Sequence, residues 1–417
     1  MFPDGFYPHG QHLFKWVGVV QKCGIKTLFS DGEIPSNTLN NLIHFCYPTE
    51  NPIAGPITFT FRFMSTDEKF YNAFCLLDQS FVQIKELDSN QQTVICFISS
   101  YYHVDVFEEA LKIVRNLLLN NLPSAIQFIH TLYEDPDSIT FMKSLKTLWK
   151  SSRSDEIYNN QVLYPIVKKF DATTIAYLVF HLLLDTPIIA TSSDLNELSQ
   201  FCYSLTSLIH PLKWHHIFVP VLPKSIIETV LSPSPFIVGI HSSMVENLPN
   251  SDIEAHLFID IDNASINRVN LTNLPQWVHQ IASNVTKITP KSLHQLMLED
   301  ICTAIGMHPS GSPYLIARKI LAATKDQKLN SDSITSQLIN SRTVKCLLNT
   351  IKESPIPNTY MTMLSSFTHT FVSFPASQNV EEFPLKKALV PKSSSVQFPQ
   401  KKRSPHKSKS LSEIPGR

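Results

Sequence analysis

The sequence predicts an α/β protein, and three patterns carry that expectation. First, around the stretch Ile209–Asn263 lie apolar runs no longer than one strand, at Pro187–Ala190, Phe236–Ile240 and His256–Ile261, with helical or loop signals between them. Short buried strands separated by helices mark a sheet covered on both faces. Second, Ile57, Phe59, Phe61 and Phe63 alternate with Thr58, Thr60 and Arg62, the period of a half-buried strand with one wet face. Third, Phe107, Leu111, Val114 and Leu118 recur at helical spacing, with Glu108, Lys112 and Arg115 off that face.

The elements then follow in order. Phe14–Val20 is a strand by its Phe, Trp and Val content, and Leu42–Tyr47 reads as the next short apolar strand. Ile57–Phe63, Phe70–Leu77, Phe81–Leu87 and Thr93–Ile98 continue as an antiparallel meander, and a helix through Phe107–Leu118 backs it. Residues 134–160 are polar and charged, a linker with a helix around Phe141–Trp149. Thr173–Leu184 is a very apolar helix that Thr186-Pro187 should end. Asp194 caps the following helix, and Glu197 at the third position would complete a capping box. Leu195, Leu198, Cys202, Leu205 and Leu208 form its buried face, and Ser225–Leu231 is a short helix. From Lys291 onward the pattern is helical: Ser292–Ile305, Ser312–Lys325 opened by Ser-Pro, Ile334–Ile351 and Thr359–Phe374. The tail from Ala376 is rich in Ser, Pro and Lys and cannot bury a core.

Composition removes several function classes. A chain of 417 residues implies two or three domains, and 43% hydrophobic residues suffice to bury their cores. Lys+Arg and Asp+Glu each total 35, which argues against a dedicated nucleic-acid binder. The seven cysteines stand apart, with no pair at zinc-ligand spacing, and fit reduced core thiols of a cytosolic protein. No signal-peptide pattern opens the chain, and Ile175–Leu184 is about half the length of a membrane span. Gly306 and Gly311 have P-loop spacing, but Ser312-Pro313 replaces the Lys-Ser/Thr that phosphate binding needs. No cofactor and no metal are expected.

Trp214-His215-His216, Pro220-Val221-Leu222-Pro223, Ser234-Pro235-Phe236 through Gly239, and His241-Ser242-Ser243 occur in sequence, followed by Leu257–Asn263 closing on Asp260-Ile261-Asp262. This ordered set resembles the centre of the tripartite DENN domain family. Upstream, Phe45-Cys46-Tyr47-Pro48, Phe59-Thr60-Phe61 with Phe74-Cys75-Leu76, and Cys96–Tyr102 resemble the same family's first part. The resemblance covers about Phe14–Ile266 by motif and the rest by position.

The resemblance implies a two-lobed module. Its parts would be a longin-like lobe of antiparallel sheet plus helices at 12–133 (uDENN), a linker at 134–160, a doubly wound α/β lobe at 161–270 (cDENN), a helical dDENN-like region at 271–375, and a disordered basic tail at 376–417. It implies a guanine-nucleotide exchange factor that grips a Rab-type small GTPase between the lobes, cytoplasmic and peripheral on endomembranes. Such a factor needs shape and a few polar contacts, with no catalytic acid or base of its own. The alternatives are a DENN scaffold that has lost exchange activity and, third, a GTPase-activating relative. The basic tail offers a weak contact for anionic membrane, and no nucleic-acid partner is expected.

Strand ends supply the candidate GTPase contacts: Ser192, Ser193 and Asp194; His241, Ser242 and Ser243; Asp260, Asp262 and Asn263. Each has a competing bland reading. Asp260 and Asp262 follow an apolar strand as phosphatase aspartates do, but Ala264 breaks that motif and a strand-end turn is the simpler reading. Gly239–Ser243 lacks the second glycine of a nucleophile elbow. Trp214 reads as core, His215, His216 and His241 as structural histidines, and Arg62 and Arg115 as solvated surface.

Overall fold

The computed structural model describes residues 12–32, 34–49, 52–53, 55–65, 69–79, 91–134, 164–166, 168–209, 214–248, 256–267, 278–279 and 334–353. The expected strand Phe81–Leu87, the linker helix, the helices at 292–305, 312–325 and 359–374, and the tail lie outside these residues.

The first sheet consists of β1 (Trp16–Gln21), β2 (Gly24–Ser30), β3 (Ile57–Met64), β4 (Phe70–Asp78) and β5 (Thr93–Ser99), in the order β2-β1-β5-β4-β3. Every neighbouring pair is antiparallel. The sequence pattern misses β2, because Lys26 and Thr27 interrupt its apolar residues and the hairpin turn at Lys22-Cys23 carries no Asn-Gly signal. Leu42–Tyr47 is not a strand: it is the end of helix α1 (Ser36–Cys46). A short apolar run does not separate strand from helix by period alone, and Leu42 and Cys46, one helical turn apart, both enter the core.

Both faces of this sheet are covered. Helices α2 (Val104–Asn120) and α3 (Leu122–Glu134) pack on Phe74, Leu76, Ile95 and Phe97. On the opposite face Cys46, the last residue of α1, meets Cys75 and Cys96, all fully buried, with Cys75 directly across from Cys96 on the neighbouring strand. The expected wet face of β3 is therefore corrected. Thr58 donates to Glu108 of α2 at 3.3 Å, Thr60 is buried, and its backbone N–H donates to Ser199 Oγ at 3.2 Å. A helix thus caps the outer edge of β3, which would otherwise present unpaired N–H groups.

That helix is α5 (Leu195–Leu208). It follows α4 (Ala172–Leu183) and β6 (Ile188–Ser192) and precedes β7 (Ile217–Val219), β8 (Phe236–His241), β9 (Leu257–Asp260) and β10 (Ser265–Ile266). The second sheet has the order β10-β9-β6-β8-β7, with β9, β6, β8 and β7 parallel and β10 antiparallel at one edge. Because α5 serves both sheets, one apolar cluster runs from Trp16 through Phe61 and Phe201 to Ile259. Tyr203 of α5 stacks on Tyr102 at 3.8 Å and donates to Asn72 Oδ1 at 2.8 Å.

Asp171 caps α4 by accepting from Thr174 N at 2.7 Å. Asp194 caps α5, accepting from Asn196 N at 2.7 Å and Glu197 N at 3.3 Å. The reciprocal half of the expected box does not form, since Glu197 pairs with Lys169 at 2.7 Å and Asp194 N donates to Ser192 Oγ. Residues Ile334–Ile351 make two helices instead of one, α6 (Ile334–Asn340) and α7 (Arg342–Glu353), broken at Ser341. Ser341 Oγ accepts from Val344 N, while Asp185, just past α4 and at φ 54°, accepts from Arg342 N and Thr343 Oγ1. A side chain from the end of α4 therefore caps α7, a tie invisible in local sequence.

Burial predicts a sharp order of thiol reactivity. Cys23 is exposed and Cys346 half-buried, whereas Cys46, Cys75, Cys96 and Cys202 have no exposed surface. Native alkylation followed by peptide mapping should mark Cys23 first and the four buried thiols only after unfolding. Prompt native labelling of Cys75 or Cys96 would show that α1 does not close this face.

Candidate functional site

The nine strand-end candidates converge. Parallel strands β6, β8 and β9 place Ser192–Asp194, His241–Ser243 and Asp260–Asn263 at one carboxyl edge of the second sheet. β6 lies between β8 and β9, so the edge sits where the chain's winding reverses, the usual ligand crevice of an open parallel sheet.

Hydrogen bonds weld the three loops. Asp262 accepts from Ser192 Oγ at 2.7 Å and from Ser193 N at 2.9 Å. Burial alone would raise the Asp262 carboxyl, but these bonds, with Lys169 nearby, hold it below the usual aspartate value. His241 Nδ1 faces Ser243 N at 3.3 Å and Ser243 Oγ at 2.8 Å, while Nε2 lies 3.0 Å from the Ser193 carbonyl. Accepting at Nδ1 and donating from Nε2 satisfies the neutral ring. Burial favours that form and lowers the His241 pKa, against the opposing pull of the Ser193 carbonyl, Asp262 and Asp194. Asn263 folds onto Asp260, with N–H to Oδ1 at 3.1 Å and Nδ2 to Oδ2 at 2.8 Å, a closed turn. Lys169 Nζ donates to the Ile261 carbonyl at 2.8 Å and ties the turn to α5 through Glu197.

Exposure sorts the candidates. Ser193, Asp194, Ser243, Asp262 and Asn263 are exposed, and His241, Ser242 and Asp260 are half-buried. Ser192 has no exposed surface, so it positions Asp262 and does not meet a partner. The Ser243–His241 contact resembles a nucleophile and its base. However, Nδ1 is shared with the Ser243 N–H, the geometry of a cap on the 3₁₀ segment Ser242–Asn247.

Other candidates move. Trp214 packs against the main core but is only half-buried, ahead of β7, and donates Nε1 to the Ile217 carbonyl at 3.1 Å. His216 Nε2 comes within 3.2 Å of Asp185 Oδ2 without hydrogen-bond alignment. Arg115 is not free surface, since it pairs with buried Asp78. Sequence spacing also missed a thiol group: Cys46, Cys75 and Cys96 bring their sulfurs within 4.8 Å of one another, the arrangement among the described residues that has metal-ligating atoms in reach. Burial pushes the Cys46 and Cys75 thiols up, whereas Cys96, against its own burial, is brought down to about 6 by its bonds with those two thiols, so the triplet favours one thiolate and not the three of a fully deprotonated metal site.

The fold and this edge define a protein with a polar, internally braced surface at the carboxyl end of a parallel sheet. Residues 90–264 match the DENN (AEX-3) domain model, a span that contains all nine candidates. DENN domain-containing protein 1B of Mus musculus is 24% identical over 278 residues, 62% of this chain and 34% of the relative. DENN domain-containing protein 1A of Xenopus laevis is 23% identical over 271 residues, 61% of this chain and 25% of the relative. DENN domain-containing protein 2A of Mus musculus is 38% identical over a shorter stretch of 82 residues, 20% of this chain and 8% of the relative. Over residues 90–264 the chain is similar to the DENN domain family, and it spans about a third and a quarter of the first two relatives' own lengths. Among the described residues no helix is long and apolar enough to cross a membrane.

Proposed function

We propose that this protein is a guanine-nucleotide exchange factor for a Rab-type small GTPase, built as a two-lobed module of the boundaries given above. The observation that carries the reading is the welded carboxyl edge. Three loops distant in sequence present Ser193, Asp194, Ser243, Asp262 and Asn263 on one braced surface inside the family-matched span. Exchange needs such a surface more than it needs acid–base chemistry. A protein that binds the nucleotide-free GTPase more tightly than the GDP form weakens GDP by the same factor. Rigid loops that hold switch segments away from the nucleotide supply that difference without reorganising. In this reading Asp262 is the central contact, and Ser192 and Lys169 hold it.

The test is release of a fluorescent GDP analogue across a panel of Rab GTPases. One or two should be accelerated, and Asp262→Lys should abolish at least about tenfold of that acceleration by removing a contact worth ~1.4 kcal/mol. Binding of a GTPase without faster release would establish the scaffold alternative. Acceleration indifferent to Asp262→Lys would move the interface off this edge.

A further inference from the structure

A second surface lies along the β7 edge of the second sheet. A cleft of about 880 Å³ opens between α1, the end of β3, the start of β4, the run leading into β7, and the first residue of α7. Trp214–Val219, including all of β7, and Pro223, Ser225 and Ile226 beyond it line the cleft, so it flanks the β7 edge of the sheet, and none of the nine strand-end residues is in its lining. It is a different place from the proposed GTPase contact.

Two features point to what would fill it. Three of the five exposed large apolar side chains among the described residues line this cleft: Met64 at 60%, Phe70 at 52% and Ile226 at 39% exposure. Clustering of exposed apolar groups in one concavity marks a contact surface, whereas scattered ones carry no meaning. The charged groups in the lining are Arg62 and Arg342, joined by His44, His215 and His216, and no carboxylate among the described residues lines it. Arg62 lies over the Phe70 ring at 4.6 Å, which fixes its guanidinium beside the apolar wall. Neither guanidinium is paired with a described carboxylate, although Arg115 on the far side of the same sheet is. Asp185 reaches this wall only at the Arg342 backbone N–H and at His216, and a planar guanidinium on an apolar wall, its side chain paired with no described carboxylate, is suited to a carboxylate, which it grips through paired N–H donors.

We propose that this cleft docks a short acidic and apolar peptide segment of a protein partner. Its carboxylates meet Arg62 and Arg342, and its apolar side chains cover Met64, Phe70 and Ile226. A nucleic acid would need a longer basic track than two arginines provide. A lipid chain would need an enclosing tunnel, whereas Met64 and Phe70 stand more than half exposed. Met64 suits a peptide site, since an unbranched thioether adapts to varied apolar partners.

The experiment measures fluorescence anisotropy of short fluorescein-labelled peptides that combine Leu or Phe with Glu, against the full chain. Matched peptides with Gln or Lys in place of Glu serve as controls. Saturable binding of an acidic peptide is expected, weakened by salt and lost in the Gln and Lys versions. Arg62→Glu and Arg342→Glu should each weaken it about tenfold or more, because a charge-assisted contact is worth ~1.5–3 kcal/mol. Arg342 is exposed and Arg62 half-buried, and thermal melts of the variants verify that they remain folded. Asp262→Lys should leave peptide binding unchanged, which separates this cleft from the carboxyl edge. No binding across the acidic peptides, or binding indifferent to both arginines, overturns the proposal. So does retention on anionic vesicles with no peptide binding. Competition by a Rab-type GTPase that is itself lost in Arg62→Glu would assign the cleft to the GTPase and likewise overturn it.

Discussion

Gly239→Ala should destabilise the protein by about 3 kcal/mol or more, at the upper end of what overpacking costs. Gly239 lies mid-strand in β8, between β6 and β7, and the segment Pro220–Leu222 crosses directly over it. A methyl group there would sit 2.0 Å from the Pro220 carbonyl oxygen and 3.0 Å from Cys202 Sγ. The oxygen belongs to backbone whose neighbours Val221 and Leu222 are fully buried, so it has no easy retreat. Moving it would also break the 2.7 Å hydrogen bond from Leu222 N to the Gly239 carbonyl. At roughly 2–4 °C per kcal/mol for a domain of this size, the melting temperature should fall by about 6–12 °C. Gly24→Ala is the control, since nothing lies within 4 Å of its added carbon and it should melt within about 2 °C of the parent. Equal melting of both variants would mean that Pro220 does not lie over β8.

The next largest effect is expected at Arg115. Its Nε meets Asp78 Oδ2, and the aspartate side chain is 2% exposed against 25% for the arginine. Asp78 also accepts from Gln79 N at 2.6 Å. Arg115→Ala removes the arginine's charge from beside a buried carboxylate. Breaking a buried pair costs ~3–5 kcal/mol, and partial solvent contact on the arginine side reduces that to about 2–4. Adding Asp78→Asn should restore much of the loss, because a neutral amide needs no counter-ion. Denaturant unfolding of both singles and the double gives the coupling directly. Lys169–Glu197 supplies the contrast, with side chains 18% and 34% exposed, and its loss should cost no more than about 1 kcal/mol. Additive single-mutant effects at Asp78 and Arg115 would rule out the pair as described.

Much of this architecture is written in short-range pattern. Strands β3, β4, β5, β6, β8 and β9 and helices α2, α4 and α5 stand close to where period and capping residues put them, because burial of a face imposes its period on the sequence. The nine strand-end residues were legible for the same reason: a polar pair that closes an apolar strand marks the rim of a sheet. Which rim residues meet is a different matter. Ser192 and Asp262 are 70 positions apart, and only the parallel pairing of β6 with β9 brings the hydroxyl to the carboxylate.

Where the sequence reading failed, the deciding contact was long-range. Leu42–Cys46 became helix because a sheet face needed a covering layer. Thr60 was buried because α5 lies along the edge of β3, and Arg115 was paired because β4 ends beneath it. Trp214 packs against the core only in part and lines a cleft that exists only once β3, α1 and the approach to β7 are assembled. The sequence by itself determined most strands and helices, β2 and α1 excepted, and which strand ends are polar, since those depend on neighbours within a turn or a pleat. Tertiary structure alone decided the cysteine triplet, the Asp185 cap on α7, the welded carboxyl edge and the arginine-rimmed cleft. Each of these is a meeting of residues that no local period connects.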